Sequence, residues 1–371
     1  MRTDVVIVYT PVGGGHKAAA LAVAEVARSR GLSVKVLDLF AFAPPIVGAT
    51  YQTAHLRGTT LTPTFYGMSY FAANRRDGAF EPVRRGFDHL AFAGLVKQVC
   101  DESPHTVIAT HHLPLVVLGR ARRLGKLGAP LTGVITDYTS HACWAEPGVD
   151  AFCVPCPSAA RELEGHGIPR AAMIETGIPI RAEFAGVADV VAPRPGEPLR
   201  VLLTSGSFGL GPTTAIVRGF AGIRDVELTV VCGTSKGAEA RVAHVAEGAG
   251  VTARVLGFER DMASRIAEAH VVIGKAGGLT VTETMAAGRP MILVGTVPGN
   301  ELSNERLVVG GGAGYAAAAG DAGAVASSLR ERGLLEEMGT RARGLVRSRG
   351  AEAVLDVALA AASAREHGAA A

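Results

Sequence analysis

Three stretches of this chain hold glycines and polar residues in patterns suited to chemistry on a phosphorylated ligand. The first is Gly13-Gly14-Gly15-His16, which follows an apolar run and opens a helical pattern. Glycines at that position let the backbone approach a ligand closely, and a helix N-terminus offers unpaired N–H groups to an anion. His16 falls in the first helical turn, and an imidazole titrating near neutrality is suited to take a proton from a hydroxyl. Two other readings of this loop stay open. The histidine can simply cap the turn. The loop can also hold a dinucleotide, because Gly13, Gly15 and Ala18 fit GxGxxA and Asp38 closes the next strand where a ribose-binding acid would stand. A P-loop is excluded, since no Gly-Lys-Ser/Thr follows.

The second stretch is Thr136-Asp137 at a strand end, with His141 and Trp144 behind it, and His111-His112 closing a neighbouring strand. Asp137 and His141 could orient a substrate hydroxyl or the base, and Asp137 could equally cap the next turn. No pair here has ligand spacing as tight as HxxxH, so a metal is not expected. The third stretch lies in the second half. Gly206-Ser207-Phe208-Gly209 follows one strand as a second anion cradle, and Lys275-Ala276-Gly277-Gly278-Leu279-Thr280 follows another. Gly277 and Gly278 would aim N–H groups and a helix dipole at a diphosphate. Glu283, one turn on, could accept both hydroxyls of a ribose. Asn300, Glu301 and Asn304 offer polar groups suited to a sugar.

Positioning these groups requires a particular scaffold. Short β-branched runs alternate with helical patterns: Val5 to Thr10, Ser33 to Leu39, Thr106 to Thr110, Leu131 to Thr136 and Ala151 to Val154. A second series has Leu199 to Thr204, Glu227 to Cys232, Ala253 to Leu256, Val271 to Ile273 and Met291 to Val294. Such alternation means βαβ units around parallel sheets. A Pro-rich stretch without periodicity, 185–198, separates them and reads as a linker. The expected fold is therefore α/β, with two doubly wound Rossmann-like domains in tandem and the ligand in a cleft between them. We assign 1–184 to the first, 199–350 to the second, and 351–371 to an amphipathic helix and Ala-rich tail. The segment 40–92 fits neither series; it interleaves aromatic and basic residues as either an interfacial, acceptor-binding insertion or a helical one packed on its own sheet.

Composition narrows the function. The chain has 371 residues, and at ~150 per domain this favours two. A net charge of +3 is too small for binding governed by nucleic-acid phosphates. The excess falls before Phe184, chiefly at Arg75, Arg76, Arg84, Arg85, Arg120, Arg122, Arg123 and Lys126, as a solvated face or one weakly drawn to an anionic membrane. The cysteines number 5 without a scaffold spacing, and Cys153 and Cys156 read as reduced thiols at a strand end. No apolar leader and no run of ~20 apolar residues is present, so we expect a cytoplasmic protein, soluble or peripheral at the inner face of the membrane.

Taken together, GGGHKAAA, GVITDYTSHACW, the stretch from DAFCVPCP to GIPIRAEF, VLLTSGSFGLGP, VVCGTSK, VLGFERDM, GKAGGLTVTETMAAGRP and PGNELSN resemble the monogalactosyldiacylglycerol synthase and processive diacylglycerol glucosyltransferase family. More distantly they resemble the lipid-II N-acetylglucosaminyltransferase of peptidoglycan synthesis. The resemblance implies a GT-B glycosyltransferase that is metal-independent, needs no cofactor and inverts at the anomeric carbon, with a UDP-sugar as donor. It implies His16 as general base; beside it, Asp137 or His141 would hold the acceptor or tune His16, and Gly13, Gly14, Gly15, His112 and Trp144 would form a loop for the acceptor or the diphosphate. It places Arg181, Gly206 to Gly209, Cys232, Gly257, Phe258, Met262, Lys275, Gly277 to Thr280, Glu283, Asn300, Glu301 and Asn304 around the donor. The family has Lys-Pro-Gly-Gly where this chain has Lys275-Ala276-Gly277-Gly278, Asp where it has His270, and Gln-Glu where it has Asn300-Glu301. The acceptor is then a diacylglycerol-type lipid or another apolar molecule such as a secondary metabolite. The competing readings are a UDP-sugar 2-epimerase on the same scaffold, an NAD-dependent oxidoreductase using the first glycine loop, and a non-catalytic sensor of nucleotide-sugars.

Overall fold

The computed structural model describes residues 3–74, 91–188, 192–207, 209 and 211–370. Phe208 and the basic residues Arg75, Arg76, Arg84 and Arg85 lie outside the described residues. The chain forms two compact units, Met1–Arg181 with Arg349–Ala371, and Ala182–Ser348.

Among the described residues, the first unit holds a 6-stranded parallel sheet in the order β2-β1-β3-β4-β5-β6. Its strands are β1 (Val5–Tyr9), β2 (Val34–Asp38), β3 (Thr106–Ala109), β4 (Leu131–Val134), β5 (Ala151–Val154) and β6 (Met173–Glu175). Parallel strands must be covered on both faces, and the period of two in β1 shows how this is done. Val6 and Val8 enter a core with Leu39, Phe92, Leu95, Leu113, Leu118 and Phe152. Val5 and Ile7 enter the opposite one, with Ala20, Val23 and Ala24 of the helix Gly15–Ser29. That second core also receives Ala351, Val354, Leu355 and Ala358 of the helix Gly350–Ala370. The spacing is i, i+3, i+4, i+7, so one apolar stripe docks the end of the chain on the first sheet. Burial of a Val or Leu side chain in such a stripe contributes roughly 1.5–3 kcal/mol. Gly350 permits the approach: a Cβ there would lie 2.6 Å from the Ile178 carbonyl oxygen.

The second unit repeats the plan with β7 (Leu199–Thr204), β8 (Val226–Val231), β9 (Ala253–Leu256), β10 (Val271–Gly274), β11 (Met291–Leu293) and β12 (Gly314–Ala316). Their order is β12-β11-β10-β7-β8-β9, again parallel throughout among the described residues. In each sheet the order reverses beside the first strand, between β1 and β3 and between β7 and β10. Ligands of open α/β sheets bind outside the carboxyl ends of the strands at such a switch point. The four turns there begin at Thr10, Thr110, Ser205 and Lys275, which are the polar stretches singled out above.

The aromatic segment divides. Leu39, Phe40, Phe42 and Tyr51 pack on the first core, with Phe40 stacked on Phe92 at 6.2 Å between ring centroids. The helices Pro45–Leu61 and Pro63–Ala73 follow, and Ile46, Met68 and Phe71 stand exposed on them at 75%, 67% and 53%. Two of the basic residues are neutralised locally: Arg122 meets Asp150 at 2.6 Å, and Arg123 pairs with the buried Glu146. No helix among the described residues is long and apolar enough to cross a membrane.

Candidate functional site

In the first unit the helix Gly15–Ser29 starts directly after β1, with Gly13 at φ +77° making the turn and no side chain capping its N-terminus. His16 therefore sits where β1, β3 and β4 end. Its Nδ1 lies 3.0 Å from the main-chain oxygen of Thr110 and 2.9 Å from Oγ1 of Thr136. The Thr110 hydroxyl in turn donates to the main-chain oxygen of His16 at 2.9 Å. A carbonyl oxygen can only accept, so Nδ1 carries the proton and Nε2 the lone pair. Enclosure of the ring drives its pKa from 6.5 to about 4, against the opposing pull of the Thr110 hydrogen bond. The His111 ring meets it edge-on at 4.5 Å between centroids, while His111 Nδ1 accepts from the Leu113 N–H and so caps its own helix. His112 lies behind, 4.1 Å from His111 and 6.1 Å from Trp144 between centroids.

Two expectations for this unit change. His141, expected to orient a substrate hydroxyl or the base, has both ring nitrogens engaged elsewhere. Its Nδ1 accepts from the Cys143 N–H at 3.1 Å, and its Nε2–H donates to the Tyr70 carbonyl at 2.9 Å. With Asn74, whose side-chain oxygen accepts from the Ala142 N–H at 2.7 Å, it fastens the end of the helix Pro63–Ala73. Trp144 is 7% exposed and belongs to the core beneath, rather than to an acceptor surface. Asp137 is half-buried directly after Thr136. The dinucleotide reading of the loop weakens as well. Asp38 accepts from the Phe40 N–H at 2.9 Å, capping the 3-10 turn Leu39–Phe42, and it bonds the Tyr9 hydroxyl, whose pKa burial and this carboxylate raise. Cys153 of the CxxC is fully buried and its thiol is pushed up to about 12, which removes it from thiolate chemistry.

In the second unit the two glycine turns are built differently. Gly206 (φ +70°) and Gly209 (φ +67°) wind the first one, and Ser207 stands exposed on it. Its backbone interlocks with the turn after β8, where the N–H and hydroxyl of Thr234 both donate to the Ser207 carbonyl at 2.9 Å. The second turn leads into the helix Gly278–Ala286, which has Gly277 at its N-cap and no side-chain cap. Its side chains are buried except Thr280 and Glu283, which share one face at i, i+3. Lys275 is held by Glu301 at 3.3 Å, and Glu301 itself accepts from the Val297 N–H at 2.7 Å. Asn304 departs from its expected place on a sugar-facing loop: it is fully buried and donates to the Ala276 carbonyl at 2.8 Å, bracing the glycine turn from below. Cys232 is likewise 1% exposed. Gly257 and Met262 are half-buried, Phe258 is 58% exposed, and Asn300 is half-buried at the start of the helix Asn300–Gly310. Arg181 is the last residue of the first unit, half-buried before the helix Ala182–Ala185. Among the described residues, no three His, Cys, Asp or Glu side chains gather where a metal could sit.

Sequence reasoning missed Thr110 as a partner of His16 and passed over Thr136 in favour of its charged neighbour. A strand-end threonine has no sequence signature.

The motif resemblance is met by comparison with known proteins. Residues 16–180 match the family model of monogalactosyldiacylglycerol (MGDG) synthase, and residues 212–313 match the glycosyltransferase family 28 C-terminal domain. The chain is 25% identical over 308 residues to the processive diacylglycerol beta-glucosyltransferase of Bacillus cereus (strain 03BB102), covering 81% of this chain and 78% of that one. MurG of Acinetobacter baumannii superposes with a TM-score of 0.63 at 19% identity, over 96% of this chain and 99% of that one. The UDP-GlcNAc 2-epimerase of Neisseria meningitidis, bound to UDP-GlcNAc, superposes with a TM-score of 0.59 at 10% identity, over 96% and 98%. At such identities the structural likeness is one of fold: two Rossmann-like domains of the GT-B type. An enzyme named as an epimerase shares it, so the fold alone does not choose the reaction.

Proposed function

We propose that this chain is a glycosyltransferase that moves a sugar from a UDP-sugar to the hydroxyl of an apolar acceptor, with inversion and without a metal. The observation that carries the reading is the hydrogen bonding of His16. A ring with Nδ1–H engaged and, among the described residues, no hydrogen-bond partner on Nε2 is a base ready to accept one proton, which a transferase needs and a nucleotide-binding sensor does not.

In this mechanism the N–H groups of Gly278, Leu279 and Thr280, the turn Gly206–Gly209 and the guanidinium of Arg181 hold the diphosphate. Glu283 takes the ribose hydroxyls, and the backbone at Gly257 and Phe258 takes the uracil. The acceptor hydroxyl gives its proton to His16 Nε2 as its oxygen bonds to the anomeric carbon from the side opposite UDP. The bond from that carbon to the β-phosphate oxygen breaks, and its electron pair leaves with UDP, whose charge the same donors stabilise. Attack opposite the leaving group inverts the configuration.

A diacylglycerol-type lipid is the first acceptor to test. The relative from Bacillus cereus is named for diacylglycerol, and exposed Ile46, Met68 and Phe71 give this chain an apolar surface on two consecutive helices. Such a surface also suits peripheral contact with the inner face of a membrane.

The test has two stages. A thermal-shift titration compares UDP, UDP-sugars, TDP-glucose and NAD, since a ligand binding only the native state raises the melting temperature. Stabilisation by UDP and one UDP-sugar, without NAD, is expected. Mass spectrometry then follows that donor with diacylglycerol in mixed micelles. Glycosylated lipid supports the reading; UDP or an epimerised sugar released without any acceptor means a 2-epimerase instead.

A further inference from the structure

His16 is clasped at three points by two threonines from neighbouring strand ends. The Thr110 carbonyl takes Nδ1–H at 3.0 Å, the Thr110 hydroxyl holds the His16 main chain at 2.9 Å, and the Thr136 hydroxyl lies 2.9 Å from the same Nδ1. Thr136 is only 3% exposed, so its oxygen is directed at the ring rather than at solvent. A single hydrogen bond to a carbonyl leaves an imidazole free to pivot about the Nδ1–H axis. A second oxygen on the same nitrogen, carried by a β-branched side chain with few rotamers, removes that freedom.

We propose that Thr136 is the positioning residue of the base: its hydroxyl and the Thr110 carbonyl together fix the orientation of His16, and both receive the positive charge that arrives with the proton. This rests on His16 being the base and adds how that base is held. The ring is then stabilised by two neutral oxygens on Nδ1, with His111 edge-on at 4.5 Å. The other titratable groups nearby in sequence are Lys17 on the same helix, His112 after β3, and Asp137 after β4. Asp137 is the competitor for the role.

The experiment compares Thr136→Val, which keeps shape and removes the hydroxyl, with Thr136→Ser, which keeps the hydroxyl, and with Asp137→Asn and His16→Asn. Each variant is read for kcat, donor KM, thermal denaturation and the pH titration of His16, followed by 15N NMR of the histidine-labelled full chain without substrate. Loss of a hydrogen bond to a charged group corresponds to about tenfold to hundredfold. Thr136→Val should therefore lower kcat by about tenfold or more with donor KM unchanged. It should also move the His16 titration to lower pH, because the imidazolium loses an acceptor. Thr136→Ser should restore both. A packing role alone would lower the melting temperature and leave the titration in place. If Thr136→Val leaves kcat and the titration unchanged, or if Asp137→Asn alone moves both, Thr136 does not position the base. If His16→Asn keeps full activity, the base reading itself fails, whatever Thr136 does to the ring.

Discussion

Carrying the transfer assay from about pH 7.5 to about pH 5.5 tests the enclosure of His16. An ordinary imidazole titrates near 6.5, so roughly a tenth of it stays neutral at about pH 5.5, and a base of that kind loses about tenfold in kcat/KM. The ring of His16 titrates at about 4 because it is desolvated. With that value ~97% of the molecules keep Nε2 bare at about pH 5.5, and the loss is a few per cent. The same shift has a stability consequence whose sign is fixed. A folded-state pKa below the unfolded one means that, as pH falls, the unfolded chain takes up the proton first. The contribution is intact above about pH 6.5 and is lost as pH falls toward about 4. The full shift corresponds to about 3 kcal/mol, and because the residue is only half-buried we expect about 1–3 kcal/mol. His270, also lowered to about 4 by burial and by the neighbouring Arg200, titrates over the same range. The stability arm must therefore compare wild type with His16→Asn by urea denaturation at each pH, wild type losing more. An acid limb with its midpoint at about pH 6–6.5, or denaturation curves with the same pH dependence in both proteins, would refute the reasoning.

Three further outcomes follow from the second unit. Glu283 is half-buried and shares with Thr280 the one face of its helix that is not buried, so Glu283→Gln should weaken UDP-sugar binding by about tenfold to hundredfold with little change in the melting temperature of the free protein, measured by calorimetric titration. Gly209 holds φ +67°, and a Cβ there would lie 2.6 Å from that of Ser235; Gly209→Ala should cost about 1–2 kcal/mol or more in urea denaturation and diminish the UDP thermal shift. Asn304→Leu leaves the Ala276 carbonyl without its donor, which should cost about 1–3 kcal/mol, again by urea denaturation, and loosen the glycine turn above it.

What could be read from the sequence depended on how local each requirement is. Strands such as β1 and β5 announce themselves because apolar residues on both faces leave an unbroken run, and their ends fall within a residue of expectation. Edge strands β6 and β12 were missed, since three residues, Met-Ile-Glu and Gly-Tyr-Ala, are too few to show any period. The stripe of the last helix was legible, whereas its docking on the first sheet was not, because nothing in Ala351, Val354, Leu355 and Ala358 names the partner. The site divides in the same way. The turns at Gly13, Gly206 and Gly209 could be found because a positive φ is demanded at the residue itself. The state of His16 could not, because it depends on Thr110 and Thr136, 94 and 120 residues away. Sequence reasoning singled out this strand end and its charged residue, Asp137, whereas the neutral hydroxyl next to it touches the ring. His141 departs from its expected role for the complementary reason: a histidine after a strand looks able to orient a hydroxyl or the base until both its nitrogens are seen to be committed, to Cys143 and Tyr70. Which histidine can act as a base is thus decided by which ring nitrogen the fold leaves bare, and that is a property of tertiary contacts rather than of spacing.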